Sequence, residues 1–422
     1  MATRPKDFII FTDRAVTPAS ASRSNVGEPS HAAAGKYIFY TGNWYAARST
    51  DGGTTWSYIN PYADMADFCC DQEVIYDASR DLFLWYRQGV PDGNGRNRFR
   101  LGASSDGAAT WCFYDIYTEQ VNAGWINTWF DYPHIALGTN FLYIATNRFN
   151  SAGFWVETDV LAWPLDAIRF CQGFGYNYFG RTDSFTLTPV QGATVIMYLG
   201  SHVDTDTLRI YSWTQGSGSY SWNDINIAAW SGTSRGSAHC PSPDGTDACQ
   251  RLDDRINGGW VAQGLIGFFW TVREGGGFSY PYVESATFSQ QTKAYMGRPY
   301  IWNSAFAWIY GYACPDTRGY LGIAAWLSGG GNYPAYYVGI DDDFNGSPPG
   351  WEVALVEAGN DGPNDNKWGD YNRIRQFGGC QRVWTASGHV LQNGGNGANT
   401  SPRFAVFGRE RERFCYNRFA TK

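Results

Sequence analysis

Four side chains of this 422-residue sequence have the chemical types needed to remove a proton next to a carboxylate. They are His134 in the segment WFDYPH, His202 in GSHVDTDTLR, and Tyr178 with Arg181 in YNYFGR, which we expect at the entry to the sheet that begins near SFTLTPVQG. β-Elimination from a uronic acid needs a cation for the carboxylate, a base for the C5 proton and an acid for the leaving oxygen. We therefore predict that His134 and Arg181 engage the carboxylate or the proton. Tyr178 and His202 compete for the roles of base and acid.

A second set of aromatic and cationic side chains is predicted to contact the substrate. Aromatic rings stack on sugar faces, and guanidinium groups bind polar and anionic oxygens. The set consists of Trp44, Arg87, Trp129, Arg148, Tyr280, Trp368, Tyr371 and Arg373. Interior packing is the alternative role for each ring, because most aromatic residues of a globular chain fill its core.

Acidic residues at the predicted starts of strands offer a different chemistry. These residues are Asp67, Asp71, Asp131 and Asp370. Two such carboxylates could serve a retaining or inverting glycosidase. Alternatively, the acids surround a central axis and hold water or a structural Ca²⁺, because converging carboxylates without cations repel one another. No cofactor is required, and we predict no zinc site, since the histidines are scattered and no C-x-x-C occurs.

The composition predicts an all-β chain. There are 19 Trp, 28 Tyr and 26 Phe beside 50 Gly, as expected for short aromatic-rich strands separated by tight turns. Apolar runs of period two recur about every fifty to sixty residues. Quartets of them begin near EPSHAAAG, CCDQEVIYD, FDYPHIALG, SFTLTPVQG, INGGWVAQG, AFAWIYGYA and DYNRIRQFGG. This predicts seven four-stranded antiparallel sheets, with the early segment DFIIFTDR pairing with the last sheet to close a ring.

One short pattern, S-x-D-G-x-x-x-W, occurs twice, as STDGGTTW at 49–56 and SSDGAATW at 104–111. Its serine and aspartate can bond the backbone of their own turn, its glycine takes a positive φ, and its tryptophan covers the turn. The pattern resembles the Asp-box, or BNR repeat, of sialidase-like β-propellers, where it joins the third and fourth strands of a blade. The resemblance implies a seven-bladed β-propeller that binds its ligand on the face opposite these turns.

The resemblance also suggests several functions. Propeller-type polysaccharide lyases that act on oligogalacturonate, ulvan or the rhamnose-capped glucuronate of gum arabic use His/Tyr/Arg sets, and this sequence is similar to them in architecture and residue types. The main expectation is therefore a polysaccharide lyase that cleaves next to a uronic acid. One alternative is a glycoside hydrolase such as a sialidase-like exo-glycosidase, with Arg87, Arg255 and Arg318 as candidate carboxylate ligands, although the usual F/Y-R-I-P segment is absent. The second alternative is a propeller that binds glycans without catalysis.

Nine cysteines point to an oxidising compartment, and we expect a secreted protein. Cys240 and Cys249 close a short loop. Cys112 with Cys171, and Cys380 with Cys415, suit pairing between outer strands, which leaves Cys314 over. The adjacent Cys69 and Cys70 form either a vicinal disulfide, on which a sugar could stack, or two independent thiols.

Charge, hydropathy and organisation define the expected partners. The net charge is −7 without a basic patch, which argues against nucleic acid. No apolar run approaches the ~20 residues of a membrane span. We expect residues 1–422 to form a single domain, because no linker or long low-complexity run interrupts them. The expected partner of this monomer is an acidic oligo- or polysaccharide.

Overall fold

The computed structural model describes residues 7–17, 23–345, 350–378 and 380–420. Nearly all of their regular structure is β, in 28 strands. Five of the sheets have four strands each and the sixth has eight, in which two four-stranded antiparallel units are joined. The all-β class predicted from the composition is therefore confirmed.

The first half of the chain forms consecutive antiparallel meanders. The chain begins with β1 (Phe8–Ala15). The first unit consists of β2 (Ser30–Ala34), β3 (Tyr37–Gly42), β4 (Tyr45–Ser49) and β5 (Ser57–Ile59). The second consists of β6 (Phe68–Asp77), β7 (Leu82–Gly89), β8 (Arg98–Ser104) and β9 (Cys112–Tyr117). The third consists of β10 (Thr128–Leu137), β11 (Phe141–Asn150), β12 (Trp155–Pro164) and β13 (Asn177–Arg181).

The second half repeats this plan. The fourth unit consists of β14 (Thr188–Gln191), β15 (Ile196–His202), β16 (Thr207–Thr214) and β17 (Ser221–Asn226). The fifth consists of β18 (Ile256–Ala262), β19 (Leu265–Val272), β20 (Tyr282–Ser289) and β21 (Tyr295–Gly297). The sixth consists of β22 (Ala307–Pro315), β23 (Leu321–Gly329), β24 (Asn332–Asp341) and β25 (Glu352–Ala358). The last contains β26 (Arg373–Gln376), β27 (Val383–Leu391) and β28 (Thr400–Arg409).

Helical segments are few and short. They are α1 (Thr118–Val121), α2 (Leu165–Arg169), α3 (Arg413–Ala420) and two 3₁₀ turns, Gly397–Asn399 and Glu410–Glu412. Among the described residues, no helix has both the length and the apolar character to span a membrane.

The units close on themselves around a common axis. The first strand of each unit contacts the first strand of the next, and β26 contacts β2. In the eight-stranded sheet, β14 and β18 pair in parallel. The N-terminal strand β1 pairs with β28, from Phe8 opposite Arg409 to Ala15 opposite Arg403, and so completes the last unit. This pairing of the early segment with the last sheet is the one predicted from the sequence.

Large apolar side chains fill the space between neighbouring units. Phe39 of the first unit packs at 4.9 Å from Trp85 of the second, edge to face. Tyr143 of the third unit meets Trp213 of the fourth in the same geometry at 5.5 Å. Such aromatic pairs each contribute about 0.5–1.5 kcal/mol beyond the burial of their area. Aromatic packing therefore holds adjacent sheets together around the ring.

Both copies of the repeated turn lie between the third and fourth strands of their units. In the first, Ser49 Oγ donates to Asp51 Oδ1 at 2.8 Å, and the Thr55 N–H donates to the same oxygen at 2.9 Å. In the second, Ser104 Oγ donates to Asp106 Oδ1 at 2.7 Å. The serine and aspartate thus bond their own turn, as expected from the pattern.

The structure contains four disulfides, Cys69–Cys70, Cys112–Cys171, Cys240–Cys249 and Cys380–Cys415. Cys314 is free and buried. The three spaced pairs are those predicted, and of the two alternatives for the adjacent cysteines the vicinal disulfide is the one that forms.

Candidate functional site

Four carboxylates from four different chain segments interact near the axis: Glu28, Asp71, Asp131 and Asp370. Glu28 precedes β2 and Asp370 precedes β26. Asp71 and Asp131 lie near the starts of strands β6 and β10. All four therefore lie toward the end of the axis where the first strands begin, which we call the upper face. The repeat turns lie at the opposite end, the lower face. We call these four residues the acid cluster.

Each member of the acid cluster has a specific hydrogen-bond donor. Glu28 Oε1 accepts from the backbone N–H of Asp370 at 3.3 Å, and its Oε2 accepts from Asn43 Nδ2 at 3.1 Å. Tyr371 OH donates to Asp71 Oδ2 at 2.9 Å, and Gln88 Nε2 donates to Asp131 Oδ1 at 2.9 Å. The carboxyl groups are therefore held in fixed orientations.

Two arginines from the long segment before β18 approach the same cluster. Arg251 and Arg255 each place an Nη2 near Asp370 Oδ2, at 3.1 and 3.3 Å. The Arg255 guanidinium also lies 3.9 Å from the ring centre of Tyr132, a cation–π geometry. The cluster is therefore only partly neutralised by cations.

Burial makes several of these carboxyl groups weak acids. It raises the pKa of Glu28 to about 7, with a further contribution from the charge of Asp370. Burial, followed by the charges of Glu28 and Asp131, raises the pKa of Asp71 well above its ordinary value. Burial also raises the pKa of Asp131, and the Gln88 hydrogen bond and Arg255 offset this only in part. The cluster can therefore hold protons near neutral pH, as a general acid must.

Irregular pairing in the first strands aims these side chains at the axis. In β6, Phe68 pairs with Gly89 but the next pairing is Gln72 with Arg87, so residues 69–71 bulge out of the ladder. The vicinal disulfide and Asp71 occupy this bulge. In β10 the register shifts between Asp131 and His134, and Tyr132 in between has a φ of 56°. Bulges re-aim side chains, and a positive φ at a bulky residue is typical of functional sites.

Asp131 also lines a hollow of about 330 Å³ on the upper face. The other lining residues are Tyr132, Asn147, Phe149, Phe185, Arg235, Asp253 and Arg255. A second hollow of about 230 Å³ shares Phe185 and Arg255 with the first and includes Trp230. A third, of about 170 Å³, shares Trp230 with the second. The three hollows thus follow one another through shared lining residues toward the fourth and fifth units, and we call them together the upper groove.

The two carboxylates of the first hollow have different surroundings. Asp253 Oδ1 accepts from Arg255 Nε at 2.7 Å, and its Oδ2 lies 3.6 Å from Arg235 Nε. Asp131 has no ion-pair partner within the described ranges and accepts a hydrogen bond from the neutral amide of Gln88. The hollow therefore offers one ion-paired carboxylate and one with a raised pKa, which is the usual division between a base or nucleophile and an acid.

The two predicted catalytic histidines lie in different surroundings, His134 buried and His202 half-buried with both ring nitrogens shielded from solvent. His134 lies three residues beyond Asp131 in β10, with its ring 4.9 Å from Tyr132. Burial, then Arg373 and Arg255, lower its pKa well below the ordinary value. His202 lines the second hollow between Trp230 and Trp270, and burial lowers its pKa to about 3. Both rings are therefore neutral near pH 7, and they do not share a hollow.

Tyr178 and Arg181 lie elsewhere than expected. Both belong to β13, the outermost strand of the third unit, whereas the sequence placed them where the fourth unit begins. Arg181 pairs with Asp183 at 2.6 Å, and Tyr178 OH accepts from Asn122 Nδ2 at 3.2 Å. Neither residue lines the upper groove. The structure therefore does not bring the four predicted catalytic residues together.

Each of the arginines predicted to bind substrate forms an ion pair with a carboxylate of the protein itself. Arg87 is fully buried and pairs with Asp64 at 2.6 Å. Arg148 pairs with Asp159 at 2.9 Å and with Glu157. Arg373, also fully buried, pairs with Glu73.

The predicted binding aromatics divide into two groups. Trp368 is fully buried and stacks on His389 at 4.4 Å, so it has no face free for a sugar. Tyr371 is buried as well, but its hydroxyl bonds the acid cluster. Trp44, Trp129 and Tyr280 are partly exposed, and Trp129 stacks on Phe149, which lines the first hollow.

The three arginines of the sialidase alternative are also separated. Only Arg255 lines the upper groove, because Arg87 is buried against Asp64. Arg318 lies in the loop between β22 and β23, on the lower face. The structure assembles no carboxylate-binding trio from these residues.

Of the four strand-start aspartates predicted from the sequence, three belong to the acid cluster. The exception is Asp67, which makes two hydrogen bonds with Arg98 at 3.0 and 2.6 Å. Burial alone would raise the pKa of Asp67, but the bonds from Arg98 outweigh it and lower the pKa. Sequence reasoning missed Glu28 and Asp253, although Glu28 directly precedes a first strand in the same way as Asp370.

The described residues contain one group of three metal-type ligands with atoms close to one another: Cys240, Asp247 and Cys249. Its two cysteines are joined in a disulfide. No three members of the acid cluster converge in this way. The axial Ca²⁺ stays a prediction.

Comparisons with known proteins give structural matches only. No protein-family profile and no curated protein sequence matches the chain. An ancestral GH74 enzyme superposes with a TM-score of 0.50 at 9% identity, over 95% of this chain and 51% of that chain. A Hadza microbial sialidase gives 0.49 at 10% identity, over 93% and 66%. An α-L-arabinanase of Penicillium chrysogenum gives 0.44 at 12% identity, over 95% and 98%. At 9% identity the GH74 match supports the fold and carries no statement about activity.

Proposed function

We propose that this chain is a single-domain, seven-bladed β-propeller that acts as a secreted glycoside hydrolase. The observation that carries the proposal is the first hollow, in which Asp131, with a raised pKa, and the ion-paired Asp253 line one cavity. Glycosidases need two carboxyl groups in different protonation states on either side of the bond that is cleaved. The seven blades are the seven four-stranded units.

In this proposal Asp131 is the general acid. Its protonated carboxyl group donates to the glycosidic oxygen as the bond breaks, and Asp253 acts on the opposite side as base or nucleophile. Arg255 holds Asp253 in place and contacts Tyr132, whose ring forms part of the cavity wall. General acid catalysis of this kind contributes about 10²- to 10⁴-fold to a rate.

The upper groove supports an oligosaccharide as the substrate. It extends from Asp131 past Phe185 and Trp230 to Phe278 and Arg298, and so offers aromatic surfaces in three successive hollows. Sugar rings can stack on such surfaces while charged groups bind their hydroxyls. The four disulfides agree with secretion.

The lyase expected from the sequence has less support. β-Elimination needs a base, an acid and a carboxylate ligand at one sugar. The His, Tyr and Arg residues predicted for these roles lie in separate surroundings, and Arg181 already pairs with Asp183. The first hollow instead contains a pair of carboxylates, Asp131 and Asp253.

The test is a panel of neutral and acidic glycans, arabinan among them, assayed for new reducing ends and for ultraviolet absorbance of an unsaturated product. The proposal predicts reducing ends without absorbance. Absorbance with at least one glycan would establish the lyase instead. Binding without either product would indicate a glycan-binding propeller and overturn the proposed enzyme.

A further inference from the structure

We propose that the lower end of the axis binds a small monovalent anion. A cavity of about 230 Å³ opens there, separate from the upper groove. It is lined by residues at the ends of the first strands, among them Ala33, Tyr76, Gln191, Pro315 and Gln376. We call it the lower cavity. The inference does not depend on the proposed glycosidase.

A buried arginine with unused donors borders the lower cavity. Arg375, in β26, is 7% exposed. Its Nη2 donates to the Val74 carbonyl at 3.1 Å and lies 3.4 Å from Glu73 Oε2. Its Nε and Nη1 are buried and have no hydrogen-bond partner in the described part of the chain. Buried donors without partners are costly, so native structures rarely leave them unmatched.

The charges around Arg375 do not balance. Glu73 serves two guanidinium groups, because Arg373 takes its Oε1 with both Nε and Nη2. One carboxylate therefore faces two permanent cations, which leaves one positive charge uncompensated in a buried setting. An isolated buried charge is strongly unfavourable unless a counter-ion pairs with it.

Neighbouring groups do not supply that counter-ion. Burial raises the pKa of the Cys314 thiol, which lines the cavity, to about 11, so this thiol is neutral. Asp77 is engaged by Arg80 and Ser79. Asp316 accepts backbone N–H groups of Arg318 and Arg382. His31 is neutral, because burial and then Arg375 lower its pKa well below the ordinary value.

These observations define the ligand as an anion of single charge. A monovalent ion balances the excess charge of the Arg373–Glu73–Arg375 trio, whereas a divalent ion would reverse it. The cavity has room for such an ion with some of its hydration water. Chloride is the simplest probe.

The test compares thermal unfolding in sodium chloride and in sodium gluconate, whose bulky anion is excluded. Chloride should raise the melting temperature of the wild type with a saturable dependence, by roughly 3 °C once it exceeds its dissociation constant about 100-fold. Arg375→Gln should abolish the rise. Ala193→Leu, which narrows the lower cavity without changing charge, should abolish it too. The matched control is Arg48→Gln, an arginine of the same face whose Nε donates to the Gly107 carbonyl at 2.8 Å, which should keep the rise.

Line broadening of ³⁵Cl in nuclear magnetic resonance gives a second measurement of chloride binding. If Arg375→Gln does not fold, the comparison of wild type with Ala193→Leu by this measurement tests the site. Broadening in the wild type that Ala193→Leu removes supports the site. Equal melting temperatures in chloride and gluconate, or a chloride effect that persists in Arg375→Gln, would overturn it.

Discussion

Replacing Glu28 with glutamine should change how the stability of the protein depends on pH. Burial and the charge of Asp370 raise the pKa of Glu28 from 4.5 to about 7 in the folded state. Between these values the folded protein keeps a proton that the unfolded chain has lost. The stability due to this group is therefore present below the unfolded pKa and declines as the pH rises toward the folded one. The difference between the two pKa values of Glu28 corresponds to a loss of about 3 kcal/mol of stability by slightly alkaline pH.

Glutamine cannot ionise, so this decline should vanish in Glu28→Gln. Relative to the wild type, the variant should gain up to about 3 kcal/mol as the pH rises from about 5 to about 8. One hydrogen bond is lost at all pH values, because glutamine has a single side-chain oxygen, which cannot take the place of both carboxyl oxygens that accept from Asn43 Nδ2 and the Asp370 N–H. That loss lowers the stability of the variant by the same amount at every pH, so it does not change how the difference between variant and wild type depends on pH.

Urea unfolding followed by tryptophan fluorescence across this pH range measures the difference. Glu410→Gln is a control of opposite sign, because the hydrogen bond from Arg413 lowers the pKa of Glu410. Its removal should cost stability at neutral pH. A difference between wild type and Glu28→Gln that does not vary with pH would refute the assignment of Glu28 as a buried, proton-holding member of the acid cluster.

Three further predictions concern the turns, the disulfide and the groove. Hydrogen bonds from Thr110 and Ser104 outweigh burial and lower the pKa of Asp106 to about 2. Because this carboxylate is exposed and solvent screens it, Asp106→Asn should lower the free energy of unfolding by only roughly 1 kcal/mol at neutral pH, and the difference should shrink on acidification in urea titrations. Cys69→Ser with Cys70→Ser should lower the melting temperature, because the bulge that aims Asp71 into the acid cluster loosens, and circular dichroism should show an intact fold. Phe185→Ala should raise KM for long oligosaccharides roughly tenfold while sparing the shortest substrate, in steady-state assays.

The fold could be predicted because its signals are local. The alternation of apolar residues, the glycine turns and the repeated S-x-D-G-x-x-x-W pattern each depend on a few neighbouring residues. Cysteine spacing was informative for the same reason, since Cys240 and Cys249 close a short loop. The error at Tyr178 has a local cause as well. An outer fourth strand and the next first strand look alike in sequence, and only pairing with β12 distinguishes them.

The site was harder to predict because it depends on ring closure and on bulges. Glu28 and Asp370 are 342 residues apart and meet only when the last unit contacts the first. The bulge at 69–71 and the positive φ of Tyr132 have no clear sequence signal, yet they aim Asp71 and Asp131 at the axis. Residue type alone favoured the histidines, and burial, which disfavours them, was not visible from the sequence.

The central claim is that Asp131 supplies the proton for glycoside cleavage. The most direct test measures kcat on the best glycan of the panel for the wild type, Asp131→Asn and Asp67→Asn, with melting temperatures to confirm folding. Asp67 starts the neighbouring unit but pairs with Arg98 outside the acid cluster, so it is a matched control. Asp131→Asn should lose about 10²- to 10⁴-fold in kcat, and Asp67→Asn should stay within a few-fold of the wild type. Full activity in Asp131→Asn, or an equal loss in both variants, would contradict the account.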